Sequence, residues 1–208
     1  MQHVEDDKDE RHVRRMQRKK AVIDGKIAAA TAERGVVLIN TGNGKGKSSA
    51  AFGLVARALG HGFKVAVVQF VKTRGDTGEQ GFFARYAAAH PSELAWHVSG
   101  EGFTWETQDG ERDARAAAHG WQTACGYLAD PATTLVVLDE FTYALKYGWL
   151  DCHEVVAALA ARPPQQHVVI TGRGAPQALI DAADTVTEMA LVKHAFKAGV
   201  KAMPGMEW

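Results

Sequence analysis

The sequence predicts an α/β fold of three layers, with helices on both faces of a mostly parallel central sheet of about five or six strands. Short runs rich in β-branched residues alternate with helix-length segments, as they do in right-handed βαβ units. The first two of these runs, residues 36–40 and 65–70, are apolar except for Asn40 and Gln69. Such continuous apolar runs are typical of strands that are covered on both faces. The first run is followed directly by a loop of glycines and lysines and then by a helical segment.

The order of elements follows from apolar runs and helix signals. Strands are predicted at Val36–Asn40, Val65–Phe70, Leu94–Val98, Leu135–Asp139, Val168–Thr171 and Thr185–Glu188. Helices are predicted at Ser48–Leu59, Thr77–Ala89, Asp109–Leu128 and Asp151–Ala161. Glycines or prolines follow the ends of these helices, and Asp151 with Glu154 has the spacing of a capping box.

Length and charge suggest one domain with an N-terminal arm. The chain has 208 residues, and a length near ~150 residues is usual for one domain. We expect residues 1–33 to form a polar, partly helical arm and residues 34–208 to form the main domain. The arm carries a basic cluster of Arg11, Arg14, Arg15, Arg18, Lys19 and Lys20. This cluster is either a solvated helix face or a flap that reaches over an anionic ligand.

Composition excludes several classes of protein. The formal net charge is zero, which argues against a general nucleic-acid coat because backbone binding requires positive potential. Two widely separated cysteines, Cys125 and Cys152, argue against a disulfide framework. No apolar run approaches the ~20 residues of a membrane span, and the N-terminus has no apolar signal core. We expect a cytoplasmic protein with neither nucleic acid nor membrane as partner.

The loop after the first strand has the composition of a phosphate-binding loop. We expect ATP to be bound by Gly42, Asn43, Gly44, Lys45, Gly46, Lys47, Ser48 and Ser49. Glycines allow backbone amides to approach phosphate oxygens, and the following helix presents its N-terminus to the anion. Lys47 supplies a charge, and the Ser48 hydroxyl is placed to bind Mg²⁺. The spacing indicates a P-loop NTPase (RecA-like) fold, although Thr41 stands where the motif has its first glycine.

The second half of the predicted site is the acidic end of the fourth strand. Asp139 and Glu140 follow an apolar run, and parallel strands deliver such residues to the edge of the sheet where ligands bind. Either carboxylate could hold Mg²⁺, or Mn²⁺ in its place, together with Ser48. Arg57, further along the first helix, either adds to ATP binding or is a surface charge.

Several segments resemble the P-loop class of ATP:corrinoid adenosyltransferases, nearly from end to end of the chain. The segments are GNGKGKS at 42–48, SAAFG at 49–53, GEGFTWETQ at 100–108, VVLDE at 136–140, YALKY at 143–147, TGRGA at 171–175, TEM at 187–189 and VKHAF at 192–196. The resemblance implies transfer of the 5′-deoxyadenosyl group of ATP to the Co(I) centre of a corrinoid, with release of triphosphate. It also implies a role in adenosylcobalamin synthesis or salvage, a reducing flavoprotein as electron donor, and a homodimer.

The resemblance also implies how the cobalt of the substrate is made easier to reduce. Aromatic side chains crowd the lower face of the corrin and expel the axial ligand, which makes Co(II) easier to reduce. In this sequence the corresponding residues are Phe103 and Trp105. The alternative for both is an ordinary place in the hydrophobic core. With Lys47, they are the residues that we expect to serve catalysis.

Two other functions are compatible with a phosphate-binding loop. A RecA-like P-loop ATPase would use the basic arm on nucleic acid, and its ATP hydrolysis would respond to DNA. A small-molecule kinase would need a base near an acceptor hydroxyl, for which Asp139 is available. In that case the GFTWET segment would have no role.

Overall fold

Each of the six predicted strands is present in the structure, a computed structural model that describes residues 2–71, 77–99 and 110–206. By its internal contacts the chain divides into two compact units, Met1–Glu33 and Arg34–Trp208. The first unit contains helix α1, Gln2–Ala29. Lys20 and Asp24, one helical turn apart, form an ion pair on it with Nζ 2.6 Å from Oδ2.

The second unit alternates strands and helices as the sequence predicts. Its strands are β1 Val37–Thr41, β2 Val65–Gln69, β3 Leu94–Val98, β4 Leu135–Asp139, β5 His167–Thr171 and β6 Thr185–Glu188. Its described helices are α2 Lys47–Gly60, α3 Gly78–Ala89, α4 Gly110–Leu128, α5 Thr142–Lys146, α6 Cys152–Ala161 and α7 Gln177–Asp181, followed by a 3₁₀ turn at Ala195–Ala198.

The described strands form one parallel sheet in the order β3-β2-β4-β5-β1-β6. Val137 of β4 pairs with Val67 of β2 and Val169 of β5. Ile39 of β1 pairs with Ile170 of β5 and Val186 of β6. The strand before the phosphate loop is therefore separated from the strand that ends in Asp139 by β5.

Alternation along each strand divides the core between the two faces of the sheet. On one face, residues such as Leu138 and Ile170 pack with α4, α6 and α7. On the other face, Val67 and Val137 pack with α2 and α3. β2 and β4 are buried along their whole lengths because both of their faces are covered, whereas β6 at the edge of the sheet is exposed. The predicted three-layer α/β fold with a mostly parallel sheet of about five or six strands is confirmed, and the described sheet has six strands, all parallel.

The predicted helix starts have a local chemical basis. Oδ1 of Asp151 accepts hydrogen bonds from the backbone N–H groups of His153 and Glu154, at 2.6 and 3.2 Å, which caps α6. The Thr77 side chain likewise accepts from Gln80 N at the start of α3. The short helices α5 and α7 were not predicted. In the part of the chain that the structure describes, no helix is both long and apolar enough to cross a membrane.

Candidate active site

The phosphate loop depends on glycine at two kinds of position. Gly42 and Gly46 have φ angles of 94° and 106°, in the region that glycine adopts without steric cost. Gly44 is restricted by its surroundings instead, since a Cβ there would lie 2.6 Å from the carbonyl oxygen of Ala190. Three glycines within five residues thus satisfy both the backbone turn and the close packing of the loop.

The segment after β6 supports this loop through its backbone. The Gly44 N–H donates to the carbonyl oxygen of Met189 at 2.6 Å, and the Met189 N–H donates to the carbonyl oxygen of Thr41 at 2.8 Å. Thr41, which replaces the first glycine of the usual motif, is the last residue of β1. Its hydroxyl accepts from Ala175 N at 3.3 Å. The loop therefore begins at Gly42, directly after the strand.

Lys47 lies at the start of α2 with only 6% of its surface exposed. Its ammonium group donates to the carbonyl oxygen of Gly44 at 2.6 Å, inside the curve of the loop. Burial lowers the pKa of Lys47, because the charged form loses hydration. Glu140 opposes this shift electrostatically, whereas Arg173 and Lys45 add to it. Glu140, Arg173 and Lys45 therefore all lie close enough to Lys47 to act on its charge.

The two acidic residues at the end of β4 have different surroundings. Asp139 is fully buried, and its two carboxylate oxygens accept hydrogen bonds from Gln69 Nε2 at 2.9 Å and from Thr171 Oγ1 at 2.7 Å. Glu140 has a left-handed backbone with φ of 56°. Its N–H donates to Thr171 Oγ1 at 2.9 Å.

A cavity of about 650 Å³ opens above the loop, at the carboxyl edge of the sheet. Its lining residues are Gly44, Lys45, Gly46, Lys47, Ser48, Ser49, Thr77, Gly78, Glu79, Glu140, Arg173, Gly205 and Met206. The volume lies within the usual range for small-molecule sites. Cations and backbone amides dominate the side formed by the loop, so this cavity suits a polyanion.

The residues around the cavity fit a divalent cation of the Mg²⁺ type. The Ser48 hydroxyl and the Glu140 carboxylate both line it, and oxygen donors are the ligands that this ion prefers. No group of three His, Cys, Asp or Glu side chains able to hold a metal occurs among the described residues. Mg²⁺ is commonly held by one or two carboxylates together with phosphate oxygens, a role for which Glu140 is available.

The structure brings together most of the predicted ATP-binding residues. Those from Gly44 to Ser49 line the cavity with Glu140, and Gly42 and Asn43 belong to the same loop without lining it. Phe103 and Trp105 lie outside the described residues.

Arg57 is a different case. It is in the last turn of α2, ten residues beyond Lys47, or about 15 Å along the helix. It lines a separate apolar pocket near the amino ends of β1 and β5, with Val36 and His167. The structure therefore separates Arg57 from the phosphate loop, and we leave it out of the proposed site.

Sequence reasoning gave no role to several residues around the cavity. Arg173 follows β5, which borders β1, and its position between two glycines at a strand end was the available signal. Thr77, Glu79 and Met206 come from distant parts of the chain. No local pattern marks them, because only the tertiary fold brings them to the loop.

The chain is similar to known proteins along nearly its whole length. Residues 33–208 match the family described as ATP:corrinoid adenosyltransferase BtuR/CobO/CobP, and residues 1–27 match the family described as Cob(I)alamin adenosyltransferase N terminal. A corrinoid adenosyltransferase of Pseudomonas aeruginosa is 61% identical over 202 residues, which cover 97% of this chain and 98% of the relative.

Two further relatives are similar over nearly their whole lengths. The corrinoid adenosyltransferase CobA of Salmonella typhimurium is 48% identical over 200 residues, covering 96% of this chain and 99% of the relative. The corrinoid adenosyltransferase of Escherichia coli K12 is 47% identical with the same coverage. Together with the phosphate loop and its acidic partner strand, these matches show that the chain belongs to the ATP:corrinoid adenosyltransferase family.

Proposed function

We propose that this chain transfers the 5′-deoxyadenosyl group of ATP to the Co(I) centre of a corrinoid and releases triphosphate, in the synthesis or salvage of adenosylcobalamin. Membership of the family supports the reaction, and the cationic cavity over the phosphate loop supports a role for ATP in it. In this reaction a cobalt–carbon bond forms at C5′ as the C5′–oxygen bond breaks. The electron pair of the broken bond leaves with the triphosphate.

The residues that line the cavity would stabilise the triphosphate as it leaves. The incoming metal centre is itself the nucleophile, so the protein needs no activated serine or cysteine. Loop amides with Lys45 and Lys47 are placed to stabilise the triphosphate charge that develops in the transition state. Ser48 and Glu140 would hold a bound Mg²⁺ or Mn²⁺. When bound, this ion supplies further positive charge to the phosphate oxygens.

Phe103 and Trp105 are our candidates for the corrin side of the reaction. An aromatic wall offers no donor atom to cobalt, so it favours loss of the axial ligand and reduction of Co(II). We also propose a homodimer, a reducing flavoprotein as electron donor and a cytoplasmic location. The oligomeric state is measurable by light scattering of the purified protein.

A spectral assay tests the proposed reaction directly. Reduced cobalamin and MgATP are mixed with the protein, and the cobalt–carbon bond is followed by its light sensitivity while phosphate products are separated. We expect one triphosphate for each adenosylated corrinoid. Formation of ADP and phosphate without a cobalt–carbon bond would contradict the proposal and favour an ATPase or a kinase.

Trp105→Ala tests the proposed aromatic wall. We expect a larger loss of rate from Co(II) substrate than from chemically reduced Co(I), because only the first requires removal of the axial ligand. Trp105→Phe retains an aromatic ring and is the matched control. Equal losses from both substrates would assign Trp105 a structural role instead.

A further inference from the structure

A continuous chain of hydrogen bonds crosses the sheet beneath the cavity. Trp96 Nε1 donates to Gln69 Oε1 at 3.0 Å, and Gln69 Nε2 donates to Asp139 Oδ2 at 2.9 Å. From the other side, Thr171 Oγ1 donates to Asp139 Oδ1 at 2.7 Å and accepts from Glu140 N at 2.9 Å. This chain of hydrogen bonds therefore joins Trp96, in the middle of β3, to the last residues of β2, β4 and β5.

The direction of these bonds follows from the chemistry of the groups. The Thr171 hydroxyl has a single proton, which it donates to the Asp139 carboxylate. The Thr171 oxygen in turn accepts a hydrogen bond from the N–H of Glu140. On the other side, the Gln69 amide is oriented by Trp96, whose ring stacks on Phe83 with centroids 5.3 Å apart.

The chain of hydrogen bonds ends at the backbone N–H of Glu140. Among the residues that the structure describes, Glu140 is the one non-glycine residue with positive φ. An L-residue adopts this left-handed conformation only when its surroundings hold it there. Glu140 lines the nucleotide cavity, whereas Asp139 is fully buried and does not.

We infer that Asp139 is a positioning residue that acts, through the Thr171 hydroxyl, on the backbone of Glu140, the residue proposed above to hold the metal ion. Asp139, with Gln69 and Thr171, holds the backbone of Glu140 in the conformation that places its carboxylate at the cavity. Thr171 is the link, because its one hydroxyl joins Asp139 to the Glu140 backbone. The inference rests on the proposed function only in taking MgATP as the ligand of the cavity.

Calorimetric binding of MgATP, without corrinoid, tests this inference. Thr171→Val keeps the shape of the side chain and removes both hydrogen bonds, whereas Thr171→Ser keeps the hydroxyl. We expect about tenfold weaker MgATP binding for Thr171→Val and for Glu140→Gln, and at most about a twofold change for Thr171→Ser. The double variant Thr171→Val/Glu140→Gln should bind no more than about twofold more weakly than Glu140→Gln alone, since Thr171 acts through Glu140.

The same titrations in EDTA separate positioning from general damage. Without a divalent cation, Thr171→Val should bind ATP as the wild type does. Equal weakening with and without the cation, or losses that multiply in the double variant, would overturn the inference. Because no corrinoid is present, a failure here is distinct from a failure of adenosyl transfer.

A second measurement covers the case in which Thr171→Val does not fold. Glu140→Gly and Glu140→Ala both remove the carboxylate, but only glycine adopts positive φ without steric cost. We expect the glycine variant to melt at the higher temperature. Equal melting temperatures would show that the Glu140 backbone is not held against its preference, which would overturn the inference.

Discussion

Lys47 shows at the scale of one residue how the site is prepared for an anion. Its ammonium group is nearly withdrawn from solvent and donates to the backbone carbonyl of Gly44. Burial lowers its pKa, because a charge in a poorly hydrated place has lost favourable interactions with water. A phosphate oxygen at the loop would restore that stabilisation, so binding of triphosphate and the buried charge support each other.

Lys47→Ala should therefore weaken MgATP binding about 10- to 100-fold, the cost of losing a hydrogen bond between charged groups. Arg57→Ala is the matched control, because it removes a cation from the other end of the same helix. We expect calorimetry to show unchanged affinity for this control. Near-normal MgATP binding by Lys47→Ala would remove the loop from the proposed mechanism.

Gly44→Ala tests whether the close packing of the loop matters. The added Cβ would lie 2.6 Å from the carbonyl oxygen of Ala190, so the loop must shift and its amides lose their alignment. We expect about tenfold weaker MgATP binding, equivalent to ~1.4 kcal/mol. In Gly53→Ala the new Cβ meets nothing within 4 Å. This control should retain MgATP affinity and raise the free energy of unfolding by ~0.5–1 kcal/mol through helix propensity.

At the scale of elements, the sequence predicts where helices and strands lie along the chain better than it predicts which strands are adjacent in the sheet. The runs at Leu94–Val98, Leu135–Asp139 and Thr185–Glu188 agree with the structure to the residue, because apolar patterning and turn residues are local signals. The insertion of β5 between β1 and β4 is a tertiary choice. For that reason the phosphate loop and Glu140 were predictable, whereas the roles of Thr171 and Arg173 were not.

The turn between α4 and β4 gives a prediction for pH dependence. Asp130 accepts hydrogen bonds from Lys64 Nζ at 2.9 Å, Ala132 N at 2.9 Å and Thr133 Oγ1 at 2.8 Å. These contacts, with that from Lys64 the largest, lower the pKa of Asp130 from 3.8 to about 2. Its ionised form is thus favoured by folding, and the stabilisation is complete above the unfolded pKa near 3.8. It is lost as the pH falls from there toward 2.

Asp130→Asn should accordingly lower the melting temperature by a few degrees at pH 7, and the difference should shrink as the pH falls from about 4 toward 2. Calorimetric melts of the variant and wild type across this range provide the measurement. Asp24→Asn breaks an exposed ion pair on α1 and should have little effect, as is usual for surface pairs. A difference for Asp130→Asn that is constant with pH would contradict the role assigned to its charge.

At the scale of the whole molecule, the two compact units raise the question of what the N-terminal one contributes. The second unit contains both faces of the hydrophobic core and the nucleotide cavity. We therefore expect a chain that begins at Arg34 to melt cooperatively. The first unit contributes helix α1, whose residues Arg11–Lys20 are exposed and include six cations. Such a helix face suits either solvent or an anionic ligand.

Neutralising the arm distinguishes these two roles. If the basic cluster acts on an anionic ligand, the triple change Arg14→Gln, Arg15→Gln and Arg18→Gln, which keeps good helix formers, should weaken MgATP binding several-fold. The loss should be largest at low salt, because screening weakens attraction between exposed charges. Deletion of residues 1–33 should give at least the same loss. If both proteins bind MgATP as the full chain does at every salt concentration, the basic cluster is a solvated helix face and the site in the second unit binds ATP without it.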